Sequence, residues 1–140
     1  MSRIKLQMPQ QFSFSTTIPI RISDINYGNH VGNDSVLSLI HEARVQFLAA
    51  HGFSELNCGG VGLIMSDAGI EFKKEIFYGD VITAHVAAVD FSSIGFDLYY
   101  KLETNNKAAV LAKTAMICYD YEKKKLVQVP ETVKEKLSKA

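Results

Sequence analysis

The sequence predicts an α+β fold in which one long helix lies across a single five-stranded antiparallel sheet. Three observations predict it. Five segments read as strands, two of them with clear apolar alternation, only one long segment keeps a helical period, and the later strand-like segments are joined by short runs of turn residues. A length of 140 residues suits one domain over 1–140, built around one hydrophobic core.

The first strand is marked by Phe12, Phe14, Thr16, Ile18, Ile20 and Ile22 on alternate positions, which puts them on one half-buried face. Pro19 lacks a ladder donor and points to an edge or a bulge. A polar run follows, SDINYGNHVGND, from Ser23 to Asp34. After it Val36, Leu37, Ile40, Ala43, Phe47 and Leu48 recur at three- and four-residue intervals, predicting an amphipathic helix over residues 34 to 51. Asn33 or Asp34 can cap its start, Gly52 can end it, and His51 sits where the helix dipole favours a basic group.

Beyond SELNCGG, strands are predicted over residues 61 to 77, 80 to 90, 94 to 104 and 108 to 121. In the third of these Ile94, Phe96, Leu98, Tyr100 and Leu102 alternate with more polar neighbours, so one face is buried. The separators are Tyr78-Gly79-Asp80, Ser92-Ser93 and Asn105-Asn106, the last suited to a tight hairpin because Asn tolerates positive φ. Consecutive short connections imply antiparallel neighbours in sequence order. Val133 and Leu137, past Pro130, mark a short surface helix. The one long apolar helix must cover a sheet face, which is the hotdog arrangement.

Fifteen basic and fifteen acidic residues cancel, so neither nucleic acid nor an anionic membrane is an expected partner. No apolar run approaches the ~20 residues of a membrane helix, and MSRIKLQMPQQ lacks a signal-peptide block, so a cytoplasmic location is expected. Cys58 and Cys118 form no CxxC pair and read as reduced core or loop residues. His30, His41, His51 and His85 show no metal-ligand spacing, and NCGG is not a nucleophile motif, so no metal and no covalent cysteine chemistry are expected. His85 reads as a packed or interface histidine, and Glu42 with Arg44 as a solvated or salt-bridged helix face.

RISDINYGNHVGNDSVLSLIHEARVQFL resembles the start of the 4-hydroxybenzoyl-CoA thioesterase-like branch of the hotdog superfamily, whose members read R-x-S-D-x-D-x-x-x-H-V-N-N before a helix with an E-A-R-like patch. IEFKKEIFYGDVI resembles that branch's I-E-Y-x-x-P-x-x-x-G-D-x-[LI] run, and the likeness spans about residues 14 to 121. It implies an acyl-CoA or acyl-carrier-protein thioester as substrate, coenzyme A as part of that substrate, no other cofactor, and a homo-oligomer, a dimer of dimers, with sites at an interface.

Carried over by position, Asp24 matches the motif's first Asp, His30 its His and Asn33 its second Asn, while Gly32 replaces the first Asn. Asn26 stands where most thioesterases of the branch carry the catalytic carboxylate. An amide can neither attack a carbonyl nor take a proton at neutral pH, so Asn26 can only orient. Gly28 falls at the Asn of the Asn-x-His pair of plant acyl-carrier-protein thioesterases.

The expected site therefore uses His30 as base, Asn26 to position water or thioester, and Asp24 to hold the imidazole tautomer. Backbone N–H groups at Gly32 and Asn33, on the positive end of the helix dipole, would polarise the carbonyl. Tyr27 and Gly28 would touch substrate, and Lys73 and Lys74 would approach its phosphates. Beside these readings stand the structural ones: the polar run as a set of helix caps, and the two lysines as an ordinary solvated strand end. Two other functions stand next to hydrolysis. One is enoyl-thioester hydration, since DINYGNH partly matches the Asp-x-Asn-Pro-x-His loop of R-specific hydratases. The other is thioester or protein binding without catalysis, after loss of the carboxylate at Asn26.

Overall fold

The computed structural model describes residues 2–139. Five strands form: β1 Phe14–Pro19, β2 Gly62–Phe72, β3 Val81–Val89, β4 Gly95–Thr104 and β5 Lys107–Asp120. Helix α1 spans Asn33–Ala50 and α2 Glu131–Leu137. Both the α+β class and the hotdog arrangement are as expected. A sixth strand, β6 Lys125–Leu126, turns back onto the end of β5 and lies outside the predicted set.

The buried side of α1 is Val36, Leu39, Ile40, Ala43, Phe47 and Leu48; it meets Phe96, Leu98, Tyr100 and Leu102 of β4 within one core. Fully burying each large side chain contributes about 1.5–3 kcal/mol before chain entropy is counted. Leu37, read as part of the apolar stripe, points outward, and Leu39 takes the inward position. Ile22 is also corrected. The strand stops at Pro19, the chain makes a 3-10 turn over Ile22–Asp24, and Ile22 is left 70% exposed.

The larger correction concerns strand order, which is β1-β3-β4-β5-β2. The second and third strands are not neighbours. β2 ends at Phe72 rather than running to residue 77, and the chain from 73 to 80 crosses from the β2 edge to the β3 side, past the start of α1. Its length would allow a hairpin, yet its hydrogen bonds go elsewhere. Lys73 and Lys74 N–H donate to Ala109 O (2.8 and 3.2 Å), Val31 N–H donates to Ile76 O (2.8 Å), and Ile20 N–H donates to Asp80 O (3.0 Å). The β4–β5 hairpin is as expected: Asn105 and Asn106 have φ of 51° and 63°, the pair of left-handed residues that a two-residue turn needs. Among the described residues no helix is long and apolar enough to cross a membrane.

Candidate active site

The polar run between β1 and α1 folds as a small closed loop. Asp24 is buried and closes the 3-10 turn, its Oδ2 accepting Arg21 N–H at 2.9 Å. Ile25 and Val31 then pair antiparallel, and Asn26 N–H donates to His30 O at 2.9 Å. Asn29 adopts φ 67° at the tip, a conformation Asn tolerates better than most residues. Asn26 Oδ1 accepts Gly28 N–H at 2.8 Å. A backbone N–H needs an oxygen acceptor, so this contact fixes the orientation of the Asn26 amide and leaves its NH2 as the donor end.

His30 Nδ1 lies 3.1 Å from Val31 O. A carbonyl only accepts, so Nδ1 carries the hydrogen and the neutral ring keeps its lone pair on Nε2. This corrects the role expected of Asp24. The tautomer is held by the Val31 carbonyl, while the Asp24 carboxylate is committed to Arg21 and borders a different cavity of about 390 Å³ beside Ser38, Glu42 and Gln46. A Cβ built on Gly28 would lie 3.3 Å from Asn26 Oδ1 and 3.4 Å from His30 Nε2, so the amide and the imidazole flank the same glycine.

Gly32 is the N-cap of α1 and supplies no capping side chain, leaving the first helical N–H groups without an intrahelical or capping partner. The N–H of Gly32 itself donates to Asp24 O at 3.3 Å, which removes Gly32 from the expected pair of carbonyl-polarising donors and leaves Asn33. The expected cap is corrected too: Asn33 is the first helical residue, not the cap. At the other end His51 is the C-cap, its Nδ1 2.9 Å from Phe47 O, and Gly52 follows with φ 81°.

The crossover completes a cleft of about 240 Å³ against this loop. Its apolar wall comes from Val31, Val36, Ile76 and Val110, and its polar rim from His30, Asn33, Lys73 and Lys74. Thus four of the residues singled out in the sequence share one opening. Asn26 and Gly28 stand beside His30 without lining that opening, and Tyr27 projects fully into solvent with nothing of its own chain against it. Ile76 and Val110 carry no mark in the sequence, and Val36 reads there only as part of the helix's apolar stripe. They come from α1, the crossover and β5, and only the unread crossover brings them together.

The E-A-R patch also differs from its reading. Arg44 is buried and reaches away from Glu42, to Glu55 (Nε to Oε1 2.7 Å) and the Tyr100 hydroxyl (3.3 Å); Glu42 instead accepts from Gln46 Nε2 at 2.6 Å. Burial works against the Arg44 charge, but the Tyr100 and Glu55 partners outweigh it and raise its pKa. His85 is packed as expected, 2.7 Å from Glu103 and tilted against Phe12. Cys58 and Cys118 are free and buried, and burial pushes their thiols up to about 12 and about 11. Among the described residues no three His, Cys, Asp or Glu side chains gather as a metal site would require.

Known proteins of similar sequence and shape bear on this geometry. The family model of the thioesterase-like superfamily matches residues 20–137. A 1,4-dihydroxy-2-naphthoyl-CoA hydrolase of Microcystis aeruginosa is 28% identical over 118 residues, 82% of this chain and 86% of that protein. A hypothetical protein from Aquifex aeolicus superposes with TM-score 0.82 at 24% identity, over 89% of this chain and 99% of the other. The 1,4-dihydroxy-2-naphthoyl-CoA thioesterase from Synechocystis gives TM-score 0.80 at 19% identity, over 89% and 94%; both superpositions are likenesses of fold.

Proposed function

The chain belongs to the thioesterase-like superfamily, and from that membership we propose that it hydrolyses acyl-CoA thioesters in the cleft between the start of α1 and the crossover. One observation carries the reading: an imidazole with its lone pair on Nε2, the unpartnered N–H end of α1 and two lysines all open on one apolar-walled cleft.

In this mechanism His30 Nε2 takes a proton from a water as the water oxygen attacks the thioester carbon. The oxyanion forms against the Asn33 N–H and the positive end of the helix dipole. Its collapse breaks the C–S bond. The proton returns from His30 to the leaving thiolate, giving a free carboxylic acid and coenzyme A. Asn26, beside His30 but outside the cleft lining, reaches the water or the carbonyl only where these extend past the imidazole, and Lys73 and Lys74 meet the phosphates. A cleft of about 240 Å³ lies just below the usual range for small-molecule sites, which favours a compact aryl or short acyl group over a long chain. Aromatic thioesters are the first choice, in keeping with the naphthoyl substrates named for two similar proteins.

An even-order homo-oligomer, a dimer of dimers, is proposed with it. β2 is an edge strand of 11 residues with exposed Met65 along it, a surface that pairing would cover. Two buried free thiols accord with a reducing cytoplasm.

The test is a panel of aromatic, short-chain and long-chain acyl-CoAs, following thiol release, beside enoyl-CoA, following hydration. Thiol release is expected, falling about 10²- to 10⁴-fold in His30→Gln. Unchanged release in that variant refutes the base. Binding without turnover favours the second reading, a thioester-binding protein, which Asn26 at the carboxylate position supports.

A further inference from the structure

We infer that the N-terminal arm, residues 2–6, and the end of β2 form a seat for the phosphorylated nucleotide end of the thiol carrier; the inference rests on the thioester reading of the adjoining cleft. A cavity of about 670 Å³ lies between them, lined by Arg3, Lys5, Ile70, Glu71, Phe72 and Lys73. Phe72 and Lys73 also line the cleft that holds His30, so the two spaces share a wall. A ligand with a reactive carbonyl at one end and phosphates at the other fits such a pair, and no small acyl group needs the second space.

The arm is fixed to the sheet. Leu6 N–H donates to Glu71 Oε1 at 3.0 Å, and Leu6 Cδ2 lies 3.7 Å from the point where a Cβ on Gly69 would stand. The charges are one-sided. Arg3, Lys5 and Lys73 face the cavity and Lys74 the cleft next to it, against Glu71 in the cavity and Glu75 in the cleft. Both oxygens of Glu71 are engaged, Oε1 by Leu6 N–H and Oε2 by Lys73 Nζ at 2.8 Å. Arg3 and Lys5 make no ion pair among the described residues. On a chain of zero net charge, two unpaired cations beside a basic rim select phosphate.

A pyrophosphate with a further phosphate, as a nucleotide-bearing thiol carries, would use all of these cations. The single phosphodiester of a protein-borne pantetheine arm would not. Lys73 then has two duties: it salts Glu71 in the empty protein and turns to the ligand when phosphates arrive.

The experiment compares one acyl group carried on coenzyme A, on dephospho-coenzyme A and on pantetheine, with the wild-type chain and Arg3→Ala/Lys5→Ala. KM for the coenzyme A ester should rise about fivefold in the double variant, at unchanged kcat and unchanged thermal midpoint, and the rise should shrink with added salt. The two proteins should act alike on the pantetheine ester. Equal KM values for the coenzyme A ester, or an equal loss on the pantetheine ester, overturn the seat while leaving hydrolysis standing. Should no ester be hydrolysed, the thioesterase reading fails, and calorimetric titration with desulfo-coenzyme A still decides the seat. Weaker binding to the double variant upholds it; equal binding, or none to either protein, overturns it.

Discussion

Replacing Arg44 by Met removes a guanidinium from the junction of α1, β4 and the loop after the helix. Arg44 is 7% exposed, and its charge is shared between Glu55 at 2.7 Å and the Tyr100 hydroxyl at 3.3 Å. Taking one member from a buried ion pair costs about 3–5 kcal/mol because the other is stranded. Glu55 is not fully stranded, since its side chain is 29% exposed and His41 Nε2 lies 3.3 Å away. Tyr100 keeps Thr114 Oγ1 at 2.7 Å. Met also fills most of the space, so the expected loss is about 2–3 kcal/mol, below the full figure for a stranded partner. For a chain of this size that lowers the melting temperature by about 10 °C. Urea unfolding of Arg44→Met, Glu55→Gln and the double variant would measure it. The double variant should be more stable than the sum of the single losses predicts, by about 1 kcal/mol or more. Strict additivity, or a loss in Arg44→Met under about 0.5 kcal/mol, refutes the assignment of this pair as the tie between helix and loop.

Gly95 faces the Met116 carbonyl so closely that an added Cβ would collide with backbone, whereas a Cβ on Gly69 would meet only Leu6 at 3.7 Å. Gly95→Ala should therefore lose about 3 kcal/mol or more in denaturant unfolding, and Gly69→Ala less than about 1. Cys58 and Cys118 are fully buried, so a disulfide reagent at pH 8 should label them only as fast as the chain opens, and denaturant should release both at once. Their pKa values are raised from 9.0 to about 12 and about 11, so above pH 9 the unfolded thiols lose protons that the folded ones keep. Stability should fall as pH rises from about 9 to 11, and Cys58→Ala/Cys118→Ala should flatten that slope.

What could be read from sequence follows the range of the forces involved. The helical period from Val36 to Leu48 and the alternation from Ile94 to Leu102 are local, and both elements lie within a residue or two of their expected bounds. Asn105-Asn106 carries its turn in its own backbone preference. Strand order is not local: residues 73–80 hold the same turn residues whether they close a hairpin or cross over, and their partners, Val31 and Ala109, lie tens of residues away. The same limit explains Arg44, whose counter-ion is Glu55 in the following loop rather than the adjacent Glu42. At the site the histidine, the helix start and the two lysines stood out by residue type. Which backbone N–H groups were already spent, as at Gly32, depended on how the loop closed.

The crossover that walls the cleft is tied at its start to β5, in its middle to Val31 in the loop before α1, and at its end to Ile20 just past β1. Such a strap leaves the cleft little freedom to breathe, because displacing Ile76 would pull on the Val31 amide. New acyl preferences should therefore be reached by shortening Val36, Ile76 or Val110, with the main chain left where it is. In this protein the shape of the pocket and the integrity of the fold are written into the same eight residues.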